Sequence, residues 1–461
     1  MSLMRDILDI RRGFYEGGKL RGANNDFHNA NAPFEDQASP DRAVMRARAR
    51  WLHENNGIIS GIDNSIKQNA LGAGLKFQSK TEDAALNNTI ETLFSEWIKQ
   101  QNCDITGRLW FGDMQNIILG QRMMDGEILI YPKLSTDKKH PLKIQLIEAD
   151  RFDGAMFTSA NTQDGTSYID GMEVDTYGKP QKYLLKDGLF KTTKLNASDV
   201  IHYFKMTNRA TQYRGISEYK QIIIDLRNLA GYLSSTMQSQ RARASVAYAI
   251  KSTNVAGRIA ALGSEKGKDP IFDINGVMVH YLNSGEELQT FDPSIDGAGH
   301  KDFIQSCIRL IAVGRQISYE LAFRDYSQVN FSSARASLIQ DHKRFSTEQA
   351  HMARYVLTPI FERWLDANVL AGNIKGISAQ AYFNNKEKIC QPRWIAPARE
   401  WVDPLKDINA FSKEYEMGMA TLEEYAAQRG KDLEEIINQR IKEKKMLEEA
   451  GIIQQEGAKS A

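Results

Sequence analysis

The stretch "RDYSQVNFSSARASLIQDHKRF", residues 324–345, changes character halfway along its length. Its first part, "DYSQVNF", mixes polar, aromatic and β-branched residues, a composition typical of a packed surface loop. Its second part has a helical pattern that we expect to continue to about Leu370, with a kink at Pro359. Ser332 or Ser333 is the predicted cap, because a serine hydroxyl can accept a hydrogen bond from the free N–H groups of a first helical turn. The predicted apolar stripe of this helix consists of Leu338, Phe345, Met352, Val356, Ile360 and Trp364.

The overall composition narrows the class of protein. The chain has 461 residues, of which 42% are hydrophobic, so two or more domains are expected. Lys plus Arg (59) nearly equal Asp plus Glu (58), and any contact with nucleic acid must therefore depend on local charge. The three cysteines, Cys103, Cys307 and Cys390, form neither a CxxC pair nor a disulfide framework, which indicates a reducing cytoplasm. No signal peptide or membrane-spanning helix is predicted.

The first half of the chain combines helices with a set of strands. Residues 1–40, rich in Asn, Ala, Asp and Pro, are expected to form an extended or mobile arm, and the regular fold should start near Pro40. Apolar periodicity and the break at residues 55–57 predict two helices and then a strand. Two further helices are predicted over residues 89–100 and 110–124. Residues 126–206 change to strand-like segments separated by Gly, Pro and Asp-Gly turn signals, which predicts antiparallel strands.

The second half is expected to be mainly helical. A long helical pattern covers residues 215–251, and a compact glycine-rich insertion with short strands follows over residues 253–297. A second helix over residues 299–315 precedes the opening stretch. Residues 374–404 are predicted to form a strand pair and a loop rich in Trp and Pro, and a helical tail follows.

The motifs of common enzyme classes are absent or incomplete. The segment "GSEKGKD", residues 263–269, resembles a phosphate-binding loop but has three residues between its glycines where the motif needs four, and Asp269 replaces the magnesium-binding Ser or Thr. His342 and His351 would point to opposite sides of a helix, so they do not form a zinc pair. There is no GxSxG nucleophile elbow. We therefore predict no catalytic residue, no cofactor and no metal site.

Local charge is more informative than the global balance. No Asp or Glu occurs between Leu226 and Ser264, whereas Arg227, Arg241, Arg243 and Lys251 are all basic. A helix with this bias can face a polyanion or the acidic surface of a neighbouring subunit, and it can also be an ordinary solvated helix face. In a second basic segment, "MRARARW", Arg46, Arg48 and Arg50 stand two residues apart and cannot share one helical face. The simplest interpretation of that segment is a solvated helix whose arginine stems cover apolar surface.

Six segments, in this order, resemble the lambda-type family of tailed-phage portal proteins. They are "RARARWLHENNGIISGIDNSIKQNALGAGLKFQS", "LIEADRFDG", "DGMEVDTYGKPQKYLL", "DVIHYFKMTNRATQYRGIS", "DPSIDGAGHKDFIQSCIRLIAVGRQISYELAFRDYSQVNFSSARASL" and "WVDPLKDINAFSKEYEMGMATLEEYAAQRGKDLEEI". The resemblance implies an α+β portal fold that assembles into a ring. Its implied parts are an N-terminal arm (1–40), a mixed α/β wing of helices and then antiparallel strands (41–213), a first stem helix (214–252), a small α/β clip insertion (253–297), a second stem helix (298–316), a tunnel loop region (317–332), a long helix with a return to the wing (333–403), and a helical crown with the C-terminal tail (404–461).

The resemblance also implies a function without catalysis. Family members form a ring, a dodecamer by analogy, at the capsid vertex of the virion, assembled in the host cytoplasm. DNA is packaged through the ring by the terminase and later ejected, so the implied partners are double-stranded DNA without sequence specificity, the terminase large subunit, a head–tail adaptor, and capsid and scaffold proteins, with no membrane. Arg324, Tyr326, Gln328 and Asn330 would lie in the tunnel loop, and Arg227, Arg241, Arg243 and Lys251 would be basic stem contacts. A structural capsid or tail-adaptor subunit without a channel is the alternative, and a nucleic-acid-processing enzyme is a more remote one.

Overall fold

The computed structural model describes residues 33–153, 166–188, 191–206, 209–245, 249–251, 272–274, 277–282, 297–327, 329–398 and 404–450, and it has the predicted α+β composition. The helices are α1 Phe34–Asn55, α2 Gly57–Ala70, α3 Ala84–Trp97, α4 Gln100–Cys103, α5 Phe111–Met124, α6 Ile223–Ser245, α7 Gly297–Gly314, α8 Tyr319–Phe323, α9 Phe331–Met352, α10 Thr358–Leu370, α11 Ala379–Asn384, α12 Lys386–Ile389, α13 Pro404–Glu416, α14 Leu422–Gln428 and α15 Leu433–Glu449. The strands are β1 Lys76–Ser79, β2 Glu127–Leu134, β3 Leu142–Ile147, β4 Ser167–Ile169, β5 Met172–Val174, β6 Pro180–Lys186, β7 Thr192–Asn196, β8 Ile201–Phe204, β9 Ala249–Lys251, β10 Phe272–Ile274, β11 Val277–Leu282 and β12 Pro392–Ile395.

The first helix starts earlier than the sequence indicated. Helix α1 begins at Phe34, and Pro40 lies inside it rather than at the start of the regular fold. The early turns are held by tertiary bonds, because Glu35 accepts hydrogen bonds from Arg42 and from the backbone of residues 213 and 214. The break between α1 and α2 is where we predicted it, and Asn56 caps α2 by accepting bonds from two backbone N–H groups. Residues 1–32 of the predicted arm lie outside the described residues.

Strand β2 lies between two hydrophobic cores. It pairs antiparallel with both β3 and β8, and β4–β7 form a separate antiparallel meander, which confirms the predicted strands of residues 126–206. Ile128 and Ile130 face the main core, which also contains Trp97 and Trp364. Leu129 faces the opposite side and packs in the smaller core against the meander. The alternation of side chains along one strand therefore joins the helical layer to the second sheet.

The chain between the meander and α6 passes very close to the start of β2. Gly126 has φ +95°, and a Cβ added there would lie 2.3 Å from the carbonyl carbon of Ile216. A Cβ added to Gly215 would lie 2.2 Å from the carbonyl oxygen of Gly126. Two glycines are therefore needed for this contact, since neither position has room for a side chain.

Helices α6 and α7 lie side by side, and of the strands between them β10 and β11 belong to the insertion, whereas β9 directly precedes it. The hydroxyl of Tyr232 lies 2.7 Å from Nδ1 of His300, and the Tyr232 ring also packs against Phe303. The prediction of one helix through residue 251 is wrong: α6 ends at Ser245, and Lys251 lies in β9, which pairs in parallel with β11. Most of the insertion lies outside the described residues.

The long helical region after the opening stretch is interrupted before Pro359. Helix α9 ends at Met352, a π-helical turn covers Ala353–Leu357, and α10 begins at Thr358 with the proline in its first turn. Proline has no N–H to donate, and a wide helical turn accommodates the missing bond at the place where we expected a kink. The predicted apolar stripe is buried from Phe345 onward, and Leu338 is half-buried.

The C-terminal part of the described chain is mostly helical. The predicted strand pair in residues 374–404 is wrong, because its first half forms α11 and α12. Its one strand, β12, pairs instead with β1 from the start of the chain. The helical tail after Pro404 is confirmed and consists of α13, α14 and α15. No helix in the described ranges is long and apolar enough to cross a bilayer.

Candidate nucleic-acid interface

The segment that links α7 to α9 is held in place by a carboxylate of α9. Asp341 accepts hydrogen bonds from both the backbone N–H (2.8 Å) and the hydroxyl (2.6 Å) of Ser318. Ser318 in turn caps α8 by accepting a bond from the N–H of Leu321. Asp341 is buried, and this burial raises the pKa of its carboxyl group, against the opposing effect of the two bonds from Ser318. The start of the predicted tunnel loop region is therefore a fixed short helix rather than an open loop.

The residues of this segment that we predicted to contact DNA differ in their exposure and in their bonds. Arg324 ends α8 in a left-handed conformation (φ +55°), is exposed, and donates one long bond of 3.4 Å to the hydroxyl of Ser65. Tyr326 is 47% exposed. Asn330 is also exposed, and Gln328 lies outside the described residues. Arg324 and Tyr326 thus leave polar and aromatic surface free on the single chain.

Asn330 caps helix α9, a role that we did not predict from the sequence. Its side-chain oxygen accepts a hydrogen bond of 2.9 Å from the backbone N–H of Ser333, so Asn330 caps α9. The predicted caps Ser332 and Ser333 are wrong, because α9 begins one residue before them, at Phe331. Asparagine has a strong preference for this position, as serine does, so residue type alone could not separate the candidates.

Replacing Asn330 with alanine should therefore cost about 1 kcal/mol of stability, the usual value of a lost helix cap. The matched controls are Ser332→Ala and Ser333→Ala, which remove hydroxyls from exposed positions inside the first turn and should change stability by less. Thermal denaturation of the three variants at one protein concentration measures the difference. A larger loss in either serine variant than in Asn330→Ala would contradict the observed cap.

The basic residues predicted for the first stem helix are only partly brought together. Arg227 and Arg241 are exposed on α6, and their spacing of fourteen residues places them on nearly the same side of the helix. Arg243 is on the same helix, but its side chain lies outside what the structure describes. Lys251 is on strand β9, so it does not belong to this helical set. The predicted placement of Lys251 on the helix was wrong, because the helical pattern was extended past the true end of α6, and its role as a basic contact stays a prediction.

Beneath the segment lies a buried ionic network that sequence analysis missed. Its members, here called the Glu218 cluster, are Asp63, Arg122, Lys205, Glu218, Arg315, Arg344 and Glu348. Glu218 accepts bonds from Arg122 (2.7 Å), Arg315 (2.8 Å) and Arg344 (3.0 Å). Burial would raise the pKa of Glu218, but the three guanidinium charges outweigh it and hold the pKa well below its usual range. The carboxylate therefore stays ionised and ties together four elements of the fold.

The same cluster joins α7 and α9 to the helices of the first half. Arg315, fully buried, follows α7 directly and also donates a bond of 2.6 Å to Asp63 on α2. Glu348 on α9 accepts a bond of 2.7 Å from Arg122 on α5. The one signal available in the sequence was the presence of arginines inside apolar helical patterns, at "LGQRMM" and "AVGRQIS". Their partners are too distant in sequence to be assigned from it.

His351 gives this region a pH dependence. Its Nδ1 lies 3.0 Å from the hydroxyl of Tyr203, and burial, reinforced by the charge of Arg122, lowers the pKa of His351 to about 4. Below pH 6.5 the unfolded chain binds a proton that the folded chain does not, so stability is full above that pH and declines as the pH falls towards 4. We expect a loss of up to about 3 kcal/mol from this group.

The variant His351→Gln should remove that part of the decline while keeping a polar partner for Tyr203. Denaturation midpoints measured from pH 7 to pH 4 test this, because the curve of the variant should be flatter than that of the wild type. Equal slopes in the two proteins would show that other groups cause the acid sensitivity.

Within the described ranges, no group of three or more His, Cys, Asp and Glu side chains could hold a metal ion.

The family model described as "Phage portal protein, lambda family" matches residues 21–349. The "Probable portal protein" of Halomonas phage phiHAP-1 is 24% identical over 87% of this chain and 79% of its own length. The "Portal protein B" of Escherichia phage lambda is 22% identical over 95% of this chain and 91% of its own.

A further relative and a solved structure are similar over most of the chain. The "Portal protein" of Escherichia phage N15 is 21% identical over 95% of this chain and 89% of its own length. A chain in the neck of an empty gene transfer agent particle aligns with a TM-score of 0.42 and 11% identity, over 85% of this chain and 94% of the other. The family match covers well over half of the chain, and the proteins of this family are structural rather than enzymatic. The chain therefore belongs to the lambda family of phage portal proteins.

Proposed function

We propose that this chain assembles into a closed ring, a dodecamer, that forms a channel for double-stranded DNA at one vertex of the capsid. The observation that carries the proposal is the family match over residues 21–349, because that range contains every residue assigned to the channel. In this proposal residues 41–213 form the wing, α6 and α7 the two stem helices, residues 253–297 the clip, and α13–α15 the crown. Portal proteins are components of the virion. Assembly would take place in the host cytoplasm.

The segment between α8 and α9 is proposed to meet the DNA, through Arg324, Tyr326, Gln328 and Asn330. A channel that translocates DNA must contact the backbone weakly and must read no sequence. The exposed Tyr326 ring offers contact area without charge, which suits that requirement. Arg324 is the one cation of this set, and its long bond to Ser65 restrains it. The anchor of Ser318 on Asp341 supports the proposal, since a loop in a channel needs a fixed base.

The exposed arginines of α6 are proposed to face either the lumen or a neighbouring subunit. Arg227 and Arg241 lie on one side of the helix, and Arg243 follows on the same element. Lys251 is proposed to act from strand β9, at the edge of the clip. A few basic groups on a chain of formal net charge +1 can attract the DNA backbone without binding it tightly through electrostatic contacts.

The implied partners follow from the ring. The terminase large subunit would dock to drive packaging, a head–tail adaptor would attach after packaging, and capsid and scaffold proteins would surround the ring. These contacts are proposed from the family alone, and no residues are assigned to them.

Electron microscopy of the purified full-length protein tests the proposal, together with native mass spectrometry for the subunit count. We expect closed rings with a central hole wide enough for duplex DNA. Open assemblies or particles without a hole would favour the alternative, a capsid or tail-adaptor subunit without a channel. Robust ATP hydrolysis by the purified protein would point instead to a packaging enzyme.

A further inference from the structure

A cavity of about 430 Å³ lies between α1 and the β4–β7 meander. One face of α1 contributes Arg42, Arg46 and Arg50, spaced four residues apart, and the other walls include Lys186 and Arg214. Ala43 and Ala47 line the cavity between these arginines, and their small side chains leave room for a ligand. The solvated first helix that the sequence suggested is therefore wrong for this face: Arg48 is exposed, but Arg42 and Arg46 are buried.

Three of the four arginines at the cavity are bonded to carboxylates. Arg42 pairs with Glu35 and Asp170. Arg50 makes a two-pronged contact with Asp125, at 2.9 and 2.6 Å. Arg214 bonds in the same way to Glu127, which is fully buried. These guanidinium groups have little donor capacity left for a ligand.

Arg46 is the exception. It is 9% exposed, and its closest carboxylate oxygen, Oε1 of Glu127, is 3.8 Å from Nη2, too far for a hydrogen bond. Its Nε is buried without a partner, and none of its N–H groups makes a hydrogen bond to the described part of the chain. Glu127 cannot turn towards it, because Arg214, His202 and the N–H of Gly215 already occupy both carboxylate oxygens. Burial also lowers the pKa of Arg46, because the charge of Glu127 offsets only part of the cost of burial.

A second cation at the cavity has no ion-pair partner among the described residues. Lys186, at the end of β6, is exposed and makes no ion pair with any described residue. The two acids that line the cavity are already engaged, Asp150 with Arg50 and Asp170 with Arg42. A ligand that entered would therefore meet one guanidinium without a hydrogen-bond acceptor, one lysine without an ion-pair partner, and no free carboxylate.

We propose that this cavity binds a doubly charged tetrahedral oxyanion of the phosphate class, with Arg46 as the main donor and Lys186 at the rim. A buried guanidinium without acceptors is costly, and its planar set of five donors matches two oxygens of a phosphate. Six carboxylates, those of Glu35, Asp125, Glu127, Glu148, Asp150 and Asp170, surround five cations here. The ligand is therefore held by directed hydrogen bonds more than by excess charge, and the affinity is modest.

Isothermal titration of the full-length protein with inorganic phosphate, at constant ionic strength, tests the site. We expect saturable binding that Arg46→Met weakens by about tenfold or more, the effect of losing charge-assisted hydrogen bonds. Arg48→Met is the matched control. Arg48 is exposed on the same helix but does not line the cavity, so its loss should leave binding unchanged. Lys186→Gln, at an exposed position without an ion pair to the described residues, should weaken binding by a smaller factor.

Three results would overturn the proposal. The first is no saturable heat with wild-type protein, and the second is equal affinity in the wild type, Arg46→Met and Lys186→Gln. The third is acetate binding as tightly as phosphate, because the site would then take a single carboxylate, such as an acidic side chain of another polypeptide. If Arg46→Met does not fold, Arg46→Lys replaces it as the test, because lysine keeps the charge but lacks the planar guanidinium group. This variant must weaken phosphate binding, and its thermal midpoint in chloride must stay close to that of the wild type.

Discussion

Replacing Glu127 with glutamine is expected to lower the free energy of unfolding by about 3–5 kcal/mol, the usual cost of removing one partner from a buried ion pair. Glu127 accepts two bonds from Nε and Nη2 of Arg214, one of 2.8 Å from the N–H of Gly215, and one of 3.0 Å from His202. Burial would raise the pKa of Glu127, but Arg214 and His202 outweigh it and hold the pKa well below 4.5. The carboxylate is therefore charged in the folded protein, and a neutral amide would leave the buried Arg214 with only the more distant carboxylate of Asp170, at 3.6 Å.

The effect is large because of where Glu127 stands. It begins β2, the strand between the two cores, and it binds the chain at the point where residues 214–216 pass close to Gly126 on the way to α6. Loss of this contact should loosen the connection between the sheets and the helices α6 and α7. Above pH 4.5 the wild type keeps the whole contribution, and it loses it only as the pH falls through the lowered pKa.

Thermal denaturation at a fixed protein concentration measures this loss. Glu96→Gln is the matched control, because Glu96 is partly exposed and pairs with the exposed Lys139 at 3.3 Å on the surface, and its replacement should change the midpoint little. A Glu127→Gln protein as stable as Glu96→Gln would mean that Arg214 finds another acceptor, and the assigned role of Glu127 would be wrong.

Local patterns in the sequence predicted the elements, because their causes are local. The Asn-Asn-Gly break between α1 and α2 works through Asn56, whose side chain caps the next helix two and three residues later. Short connections join the antiparallel strands of residues 126–206, except between β3 and β4, so each strand apart from β8 pairs with a close neighbour in sequence. Where several residues near a helix start can act as the cap, as Asn330 and two serines can for α9, the sequence predicts the first residue of the helix only to within one or two positions.

Contacts between distant residues were the part that could not be predicted. Strand β12 pairs with β1, more than 300 residues away, so that Ile395 lies opposite Lys76. The sequence around residue 395 contains no signal that identifies β1 as the partner strand. The buried arginines are a similar case: Arg46 and Arg50 share a face with Arg42, four residues apart, but whether each is paired depends on acids of other elements. The proposed channel residues came from family resemblance, since exposure and composition of "DYSQVNF" fit a surface loop equally well.

Replacing residues 325–329, "DYSQV", with Gly-Ser-Gly-Ser-Gly should leave ring assembly intact and reduce DNA packaging or retention by about tenfold or more, a barrier change of about 1.4 kcal/mol. The replacement removes Tyr326 and Gln328, two of the four proposed DNA contacts, and keeps the length of the segment. It stops before Asn330, because that residue caps α9 and its loss would destabilise the helix behind the segment. It starts after Arg324, whose left-handed conformation ends α8.

The matched control carries the same five-residue replacement at residues 135–139, "STDKK", in the mainly exposed turn between β2 and β3. Both variants should form rings by electron microscopy, and packaged DNA per particle should fall in the first variant alone. Rings in both and equal packaging would remove the segment from the channel and leave it as an ordinary surface loop. Failure of the first variant to form rings, with the control intact, would instead place these residues in a contact between subunits. The two outcomes are separable because assembly is scored on purified protein and packaging on particles.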